Sequence, residues 1–356
     1  MMATAAGSIV EARHRRPSTA RWAAVAIVAL AAAAAIGLMF GAVQIAPSTI
    51  ARWLWNAVPF VDHDAQLSPT QAVVLTQIRF PRMVLGAIVG GALASSGAAY
   101  QAVFRNPLAD PYLLGAASGA GLGVTIALVT GHGGSGGTVP ILPLAAFMGA
   151  LVSVGLAYRL GTSRAAGRTS TSLVLAGIAV ASFFTAVQTF VQQQNADTVR
   201  QVYTWILGRL GTAGWHEVIL VAPYAAVSLV TLLAHRRILD VLALGDEEAQ
   251  SLGISVRRSR AIVVLAASLG TAAAVAAGGL IAFAGIIVPH FVRAMAGGSY
   301  RLVIGLSIAF GAAFLVLADV VARTIVAPAE LPIGVVTAVV GAPLFALAIR
   351  AERGGL

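Results

Sequence analysis

Apolar runs of membrane-spanning length, separated by short polar stretches, organise the whole chain. A hydrocarbon core of about 30 Å requires about 20 apolar residues in a helix rising 1.5 Å per residue. Ten candidates satisfy or approach that length, at 21–43, 82–104, 112–131, 139–160, 170–192, 216–235, 260–278, 280–296, 302–323 and 333–350. The eighth is the shortest and contains Pro289. The first follows a group of arginines, as a secretory signal would, but exceeds the about 7–15 apolar residues of such a signal. It is therefore read as an uncleaved first helix. These spans use most of the chain, so the predicted organisation is a tail over 1–20, one membrane domain over 21–350 and a short tail over 351–356.

Composition supports an all-α polytopic membrane protein. Of the 356 residues 58% are hydrophobic and 10% charged, against about 25% charged in soluble domains. Cysteine is absent, which removes disulfides, thiol catalysis and cysteine metal sites. All 23 basic residues are arginine. Without lysine the chain cannot carry the G-x-x-x-x-G-K-[ST] phosphate loop, so any ATP-driven work falls to a partner.

The +10 net charge reports orientation rather than nucleic-acid binding. With the N-terminus placed in the cytoplasm, 17 of the 23 arginines fall in cytoplasmic segments. The exceptions are Arg52, Arg79, Arg82, Arg200, Arg209 and Arg323. This bias follows the positive-inside rule and predicts both termini in the cytoplasm.

The spans carry few groups for chemistry. Acids cluster in loops, and Asp319, towards the outer end of the ninth span, comes nearest to an intramembrane carboxylate. Ion-coupled carriers usually place ionisable groups inside the membrane. The six histidines form no paired ligand spacing, so no metal or haem is expected to be held by this chain. Residues 133–137 satisfy G-x-S-x-G around Ser135 but read as a flexible loop, since a nucleophile elbow requires a strand–turn–helix setting. Small residues spaced by four, Gly86 and Gly90, then Gly115, Gly119 and Gly123, predict close helix packing.

Three segments are more specific. Arg79-Phe80-Pro81-Arg82 is read as the outer opening of the second span, with Pro81 in the first helical turn and two arginines at the water boundary. Residues 100–111 contain Asn106-Pro107 and Asp110-Pro111, which mark turns. Residues 244–254, between the sixth and seventh spans, predict a short amphipathic helix. Asp246, Glu247 and Glu248 suit its start, Gly245 and Gly253 delimit it, and Leu244, Ala249, Leu252 and Ile254 would need cover from a cytoplasmic partner.

These segments occur in order with Trp205-Ile206-Leu207-Gly208-Arg209-Leu210, with residues 279–290 followed by Arg293, and with residues 330–338. From about Arg79 to Leu347 the chain resembles the FecCD-type permeases, membrane subunits of ABC importers for ferric siderophores, haem and vitamin B12. The resemblance implies a vitamin B12 importer-like fold of ten helices, with helices two to five and seven to ten related by inverted pseudo-symmetry. It implies a homodimer in the bacterial inner membrane, two cytoplasmic ATPases that hold the ATP, an extracytoplasmic binding protein, and no cofactor or nucleic acid on this chain. Arg79, Arg82 and Arg323 are expected to dock the binding protein, and residues 244–254 to engage the ATPase. Gln188, Gln192, Gln193 and Gln194, at the outer extension of span five, are expected to line the pathway. The rival readings are a secondary transporter or channel without ATP coupling, and an intramembrane hydrolase using Ser135.

Overall fold

The computed structural model describes residues 19–41, 43, 45–56, 68–132, 141–163, 170–208, 210–211 and 214–353. The tail before Thr19, the Ser135 segment, Arg209 and the last three residues lie outside the described residues.

Seven described helices are long and apolar enough to cross a membrane, and three shorter apolar helices bring the correspondence with the ten predicted spans to one for one. In chain order the helices are α1 (Thr19–Met39), α2 (Pro47–Asn56), α3 (Pro69–Val73), α4 (Phe80–Phe104), α5 (Ala116–Val129), α6 (Ile141–Gly161) and α7 (Ser170–Gln194). They continue with α8 (Ala196–Ile206), α9 (Trp215–Leu244), α10 (Asp246–Ser251), α11 (Val256–Gly278), α12 (Ala284–Ala296), α13 (Tyr300–Thr324) and α14 (Ile333–Arg353).

Helices α4, α11 and α13 are the most buried and form the centre, while α1, α6, α7 and α9 stand around it. Contact at the centre depends on glycine. A Cβ on Gly90 of α4 would collide with the Gly311 carbonyl of α13, and one on Gly311 would meet Gly90 in return. Gly119 of α5 and Gly149 of α6 repeat the arrangement, with Gly123 against Ala145. The predicted small-residue packing is present at Gly90, Gly119 and Gly123, whereas Gly86 has ordinary clearance and Gly115 caps α5 in the left-handed region at φ 82°.

The second span begins earlier than expected. Ser68 and Gln71 form a capping box, each side chain bonded to the other's backbone N–H at 3.2 Å. The chain is then helical from Pro69 to Phe104, through a wide π-helical segment at Val74–Arg79. Pro81 therefore does not open the span. A proline inside a helix lacks its N–H and crowds the carbonyl four residues back, and the adjacent π segment is the type of local widening that accompanies such a helix irregularity. The sixth span is also longer, because α9 continues through Arg236 and Arg237 to Leu244; arginine is a good helix former, so charge at the membrane boundary does not stop the helix.

Candidate functional site

The ordered motifs of the sequence converge on two interrupted helices. At 14 and 13 residues, α5 and α12 are each about 20 Å long, short of the hydrocarbon thickness. Each starts after a chain reversal, Gly115 before α5 and Phe283, at φ 67°, before α12. Non-helical backbone at membrane depth is tolerated only where protein or a cavity satisfies its polar groups, and here it is satisfied. The Tyr112 hydroxyl lies 3.1 Å from both the carbonyl oxygen and the nitrogen of Ile281, donating to the first and accepting from the second. Gln101 Nε2 donates to the Gly285 carbonyl at 3.2 Å. The Leu280 N–H donates to Ile206 at 3.0 Å and the Gly334 N–H to Leu207 at 3.1 Å. Gly208 and Gly279 adopt φ near 79° and 71° against each other's chain, and a Cβ on Gly279 would stand 2.6 Å from the Trp205 carbonyl.

Beside this junction is a cavity of about 280 Å³ lined by Tyr112, Ser118, Thr185, Gln188 and Leu280, among others. Of the four glutamines expected on the pathway, Gln188 therefore lies at the junction. Gln192 is half-buried, and Gln193 and Gln194 are exposed further along the same helix. None of these last three lines that cavity.

At the end of the bundle where α4 begins, Arg79, Arg82 and Arg323 come together, but as a buried ion network rather than an exposed cationic patch. They are 3%, 5% and 9% exposed. Arg82 binds Asp319 bidentately, with Nε to Oδ2 at 3.0 Å and NH2 to Oδ1 at 2.8 Å, and reaches both oxygens of Glu330 at 2.9 and 3.0 Å. Arg79 donates to the backbone carbonyls of Leu38, Met39 and Val43. Arg323 stands 3.6 Å from Asp319, one helical turn away, and donates to the Gly37 carbonyl. Buried charges are stable only when paired, so the guanidiniums turn inwards and tie α1, α4 and α13 together. The i, i+4 spacing of Asp319 and Arg323 is the sequence signal for one pair; the partnership of Arg82 with Asp319 and Glu330 has no local signal.

At the opposite, arginine-rich end, residues 244–254 form the expected short helix, α10. It is six residues long and ends in a Schellman motif. The Gly253 N–H bonds Gln250 at 2.9 Å and the Ile254 N–H bonds Ala249 at 3.0 Å, with Gly253 at φ 76°. The apolar face is smaller than expected. Ala249 is buried and Ile254 packs against the main core, so Leu244 and Leu252, at 67% and 63% exposure, are the large uncovered residues. Asp246 is also engaged within the chain, by Arg260 at 2.8 Å and Arg105 at 3.3 Å, leaving Glu247 and Glu248 exposed. The preceding 105–111 turn forms as expected, with Asn106 and Asp110 side chains accepting from the N–H groups of Leu108 and Tyr112.

Comparison with known proteins agrees with this architecture. The FecCD transport family profile matches residues 27–351. The cobalamin import system permease protein BtuC of Halobacterium salinarum is 40% identical over 281 residues, covering 79% of this chain and 74% of the relative. The hemin transport system permease protein HmuU of Yersinia pestis is 38% identical over 282 residues, covering 78% and 83%. A solved metal-chelate type ABC transporter in an inward-facing conformation superposes with a TM-score of 0.81 at 26% identity, covering 93% of this chain and 99% of that one. A family match over nearly the whole chain, with relatives of 40% and 38% identity, settles its class: the chain belongs to the FecCD transport family of ABC-transporter membrane permeases.

Proposed function

We propose that this permease forms a homodimer that imports haem, a ferric siderophore or cobalamin across the bacterial inner membrane by alternating access. Two separate cytoplasmic ATPases hold the ATP and an extracytoplasmic binding protein delivers the substrate. The arginine-rich end is the cytoplasmic one, with both termini there. Haem or a ferric siderophore is the first choice, in keeping with the similarity to a hemin permease; cobalamin stands close behind, given the similarity to a cobalamin permease. The observation that carries the reading is the meeting of the non-helical segments that precede α5 and α12, Tyr112 against Ile281, beside the Gln188 cavity, because transporter sites are typically built from interrupted helices near the bilayer midplane. Among the described residues no Asp, Glu, His or Arg lines that cavity, which favours a neutral passage coupled to an outside ATPase over an ion-coupled carrier.

The second copy covers α7 and α14, which expose Leu175, Phe183, Phe190, Val339 and Leu347. The binding protein docks where Arg79, Arg82 and Arg323 cluster; its carboxylates would compete with Asp319 and Glu330 for Arg82. Amide side chains such as Gln188 hydrogen-bond a passing chelate without placing a charge in the membrane.

Cysteine scanning tests the route directly, because the chain has no cysteine of its own. Gln188→Cys in the assembled transporter should react with a membrane-impermeant thiol reagent in one nucleotide state, while Ser268→Cys, at a site 1% exposed, stays unmodified. A Gln188→Cys variant inert in every nucleotide state would remove this position from the pathway.

For coupling, Leu252 and Leu244 insert into the ATPase and α10 passes the motion to α9 and α11. A Cβ on Gly253 meets nothing within 4 Å, so Gly253→Val acts through its left-handed backbone alone, at a cost of about 1–2 kcal/mol. The double variant Leu252→Asp, Gly253→Val should yield a membrane-inserted permease that neither retains the ATPase nor transports. Intact association and uptake would move the contact to the 105–111 turn.

A further inference from the structure

A second, larger cavity lies away from the transport junction, between α1, α9 and α13 at the arginine-rich end. Its volume is about 870 Å³, towards the upper end of the 300–1,000 Å³ common for ligand sites. Its chemistry divides in two. The inner wall is apolar, built from Ala23 and Ile27 of α1 and Leu306 of α13. The rim carries Arg236, Arg237 and Arg301, all exposed, against one acid, Asp240. That acid is occupied: it accepts from the Ser299 hydroxyl at 2.9 Å and from the Tyr300 N–H, capping α13, and Arg301 stands 3.5 Å from it. Arg236 and Arg237 have no carboxylate within ion-pair distance among the described residues. Over the rim, Gly297 and Gly298 leave open space, with nothing within 4 Å of a Cβ at either.

We infer that this cavity holds one anionic glycerophospholipid, its phosphodiester between Arg236, Arg237 and Arg301 and an acyl chain along the α1–α13 wall. Basic pockets between membrane helices, at the cytoplasmic boundary, suit acidic headgroups, and the uncompensated positive rim excludes a purely apolar occupant as the preferred one. The side of α1 next to this wall is already lipid-like in exposure, with Ile27 and Val28 each 67% accessible. The chain's own N-terminal segment is a poor competitor, since it brings Arg13, Arg15 and Arg16 against Glu11 alone. Helices α7 and α14, assigned above to the second copy, contribute nothing to the cavity. The inference goes beyond the transport reading and rests only on the arginine-rich end lying at a membrane boundary.

The test is native mass spectrometry of the delipidated full-length permease titrated with phosphatidylglycerol or phosphatidylcholine. Wild type should bind one phosphatidylglycerol per chain at least tenfold more tightly than phosphatidylcholine, and glycerol 3-phosphate at equal concentration should not displace it. Arg236→Gln, Arg237→Gln, Arg301→Gln should lose at least tenfold. The equally discharged control Arg257→Gln, Arg258→Gln, Arg350→Gln should bind as wild type. Gly305→Leu keeps every charge and favours helix, but Gly305 lines the cavity with only Leu233 near its Cβ, at 4.0 Å; its side chain should block the acyl chain and also lose binding. Equal binding of both lipids, displacement by glycerol 3-phosphate, full retention in the arginine variant, loss in the control, or full retention in Gly305→Leu would each overturn the site. The readout involves no transport, so failure of the transport reading leaves it unaffected.

Discussion

Arg82→Met should destabilise the purified permease by about 3 kcal/mol, within the range expected when one partner of a buried ion pair is removed. The reason is the carboxylate left behind. Asp319 is 4% exposed and would lose all three of its hydrogen bonds from Arg82, keeping only the longer 3.6 Å approach of Arg323. Adding Asp319→Leu removes the orphaned charge, and the double variant should recover part of the loss. The two changes are then non-additive by at least about 1 kcal/mol, as expected for direct partners. Thermal unfolding in detergent measures the cycle. Strict additivity, or a single variant as stable as wild type, would show that the network ties nothing together.

Gly90→Leu should be more severe still. Its Cβ would fall on the Gly311 backbone carbonyl, an atom on a helix and not on a flexible side chain. Relief requires α4 and α13 to separate along the most buried contact of the bundle. Overpacking costs about 1–3 kcal/mol where side chains can adjust; here the backbone must move, so the expected outcome is failure to recover folded protein. Gly155→Leu is the control, since its Cβ meets nothing within 4 Å and replacing glycine in a helix favours that helix. Equal expression and thermal stability of the two variants would contradict the packing argument.

The path from sequence to structure was clearest where the physics is local. Apolar run length located all ten spans, and fourfold glycine spacing identified the faces at Gly90, Gly119 and Gly123. The acidic start and glycine end located α10. What local pattern could not supply was pairing across the fold. Arg79 and Arg82 read as boundary anchors because their partners, the carbonyls near Leu38 and the carboxylates of Asp319 and Glu330, are distant in sequence. Likewise Ala249 and Ile254 looked like part of a face awaiting a partner until tertiary packing covered them. The short amphipathic α2 and α8 were missed as helices, since neither has the apolar length that marked the spans. Trp205–Gly208, Gly279–Ile281 and Ile333–Gly334 carried the family resemblance as separate stretches; that they bond to one another, joining the end of α8, the link before α12 and the start of α14, is visible only when they meet.

The central claim is that this chain is the passage of an ATP-driven importer. Its most direct test is uptake by proteoliposomes containing the permease with a cognate ATPase and binding protein, using haem, a ferric siderophore and cobalamin in turn. One of these should accumulate only when ATP, binding protein and a hydrolysis-competent ATPase are all present, with no dependence on an imposed proton or sodium gradient. Accumulation driven by such a gradient without ATP would contradict the claim.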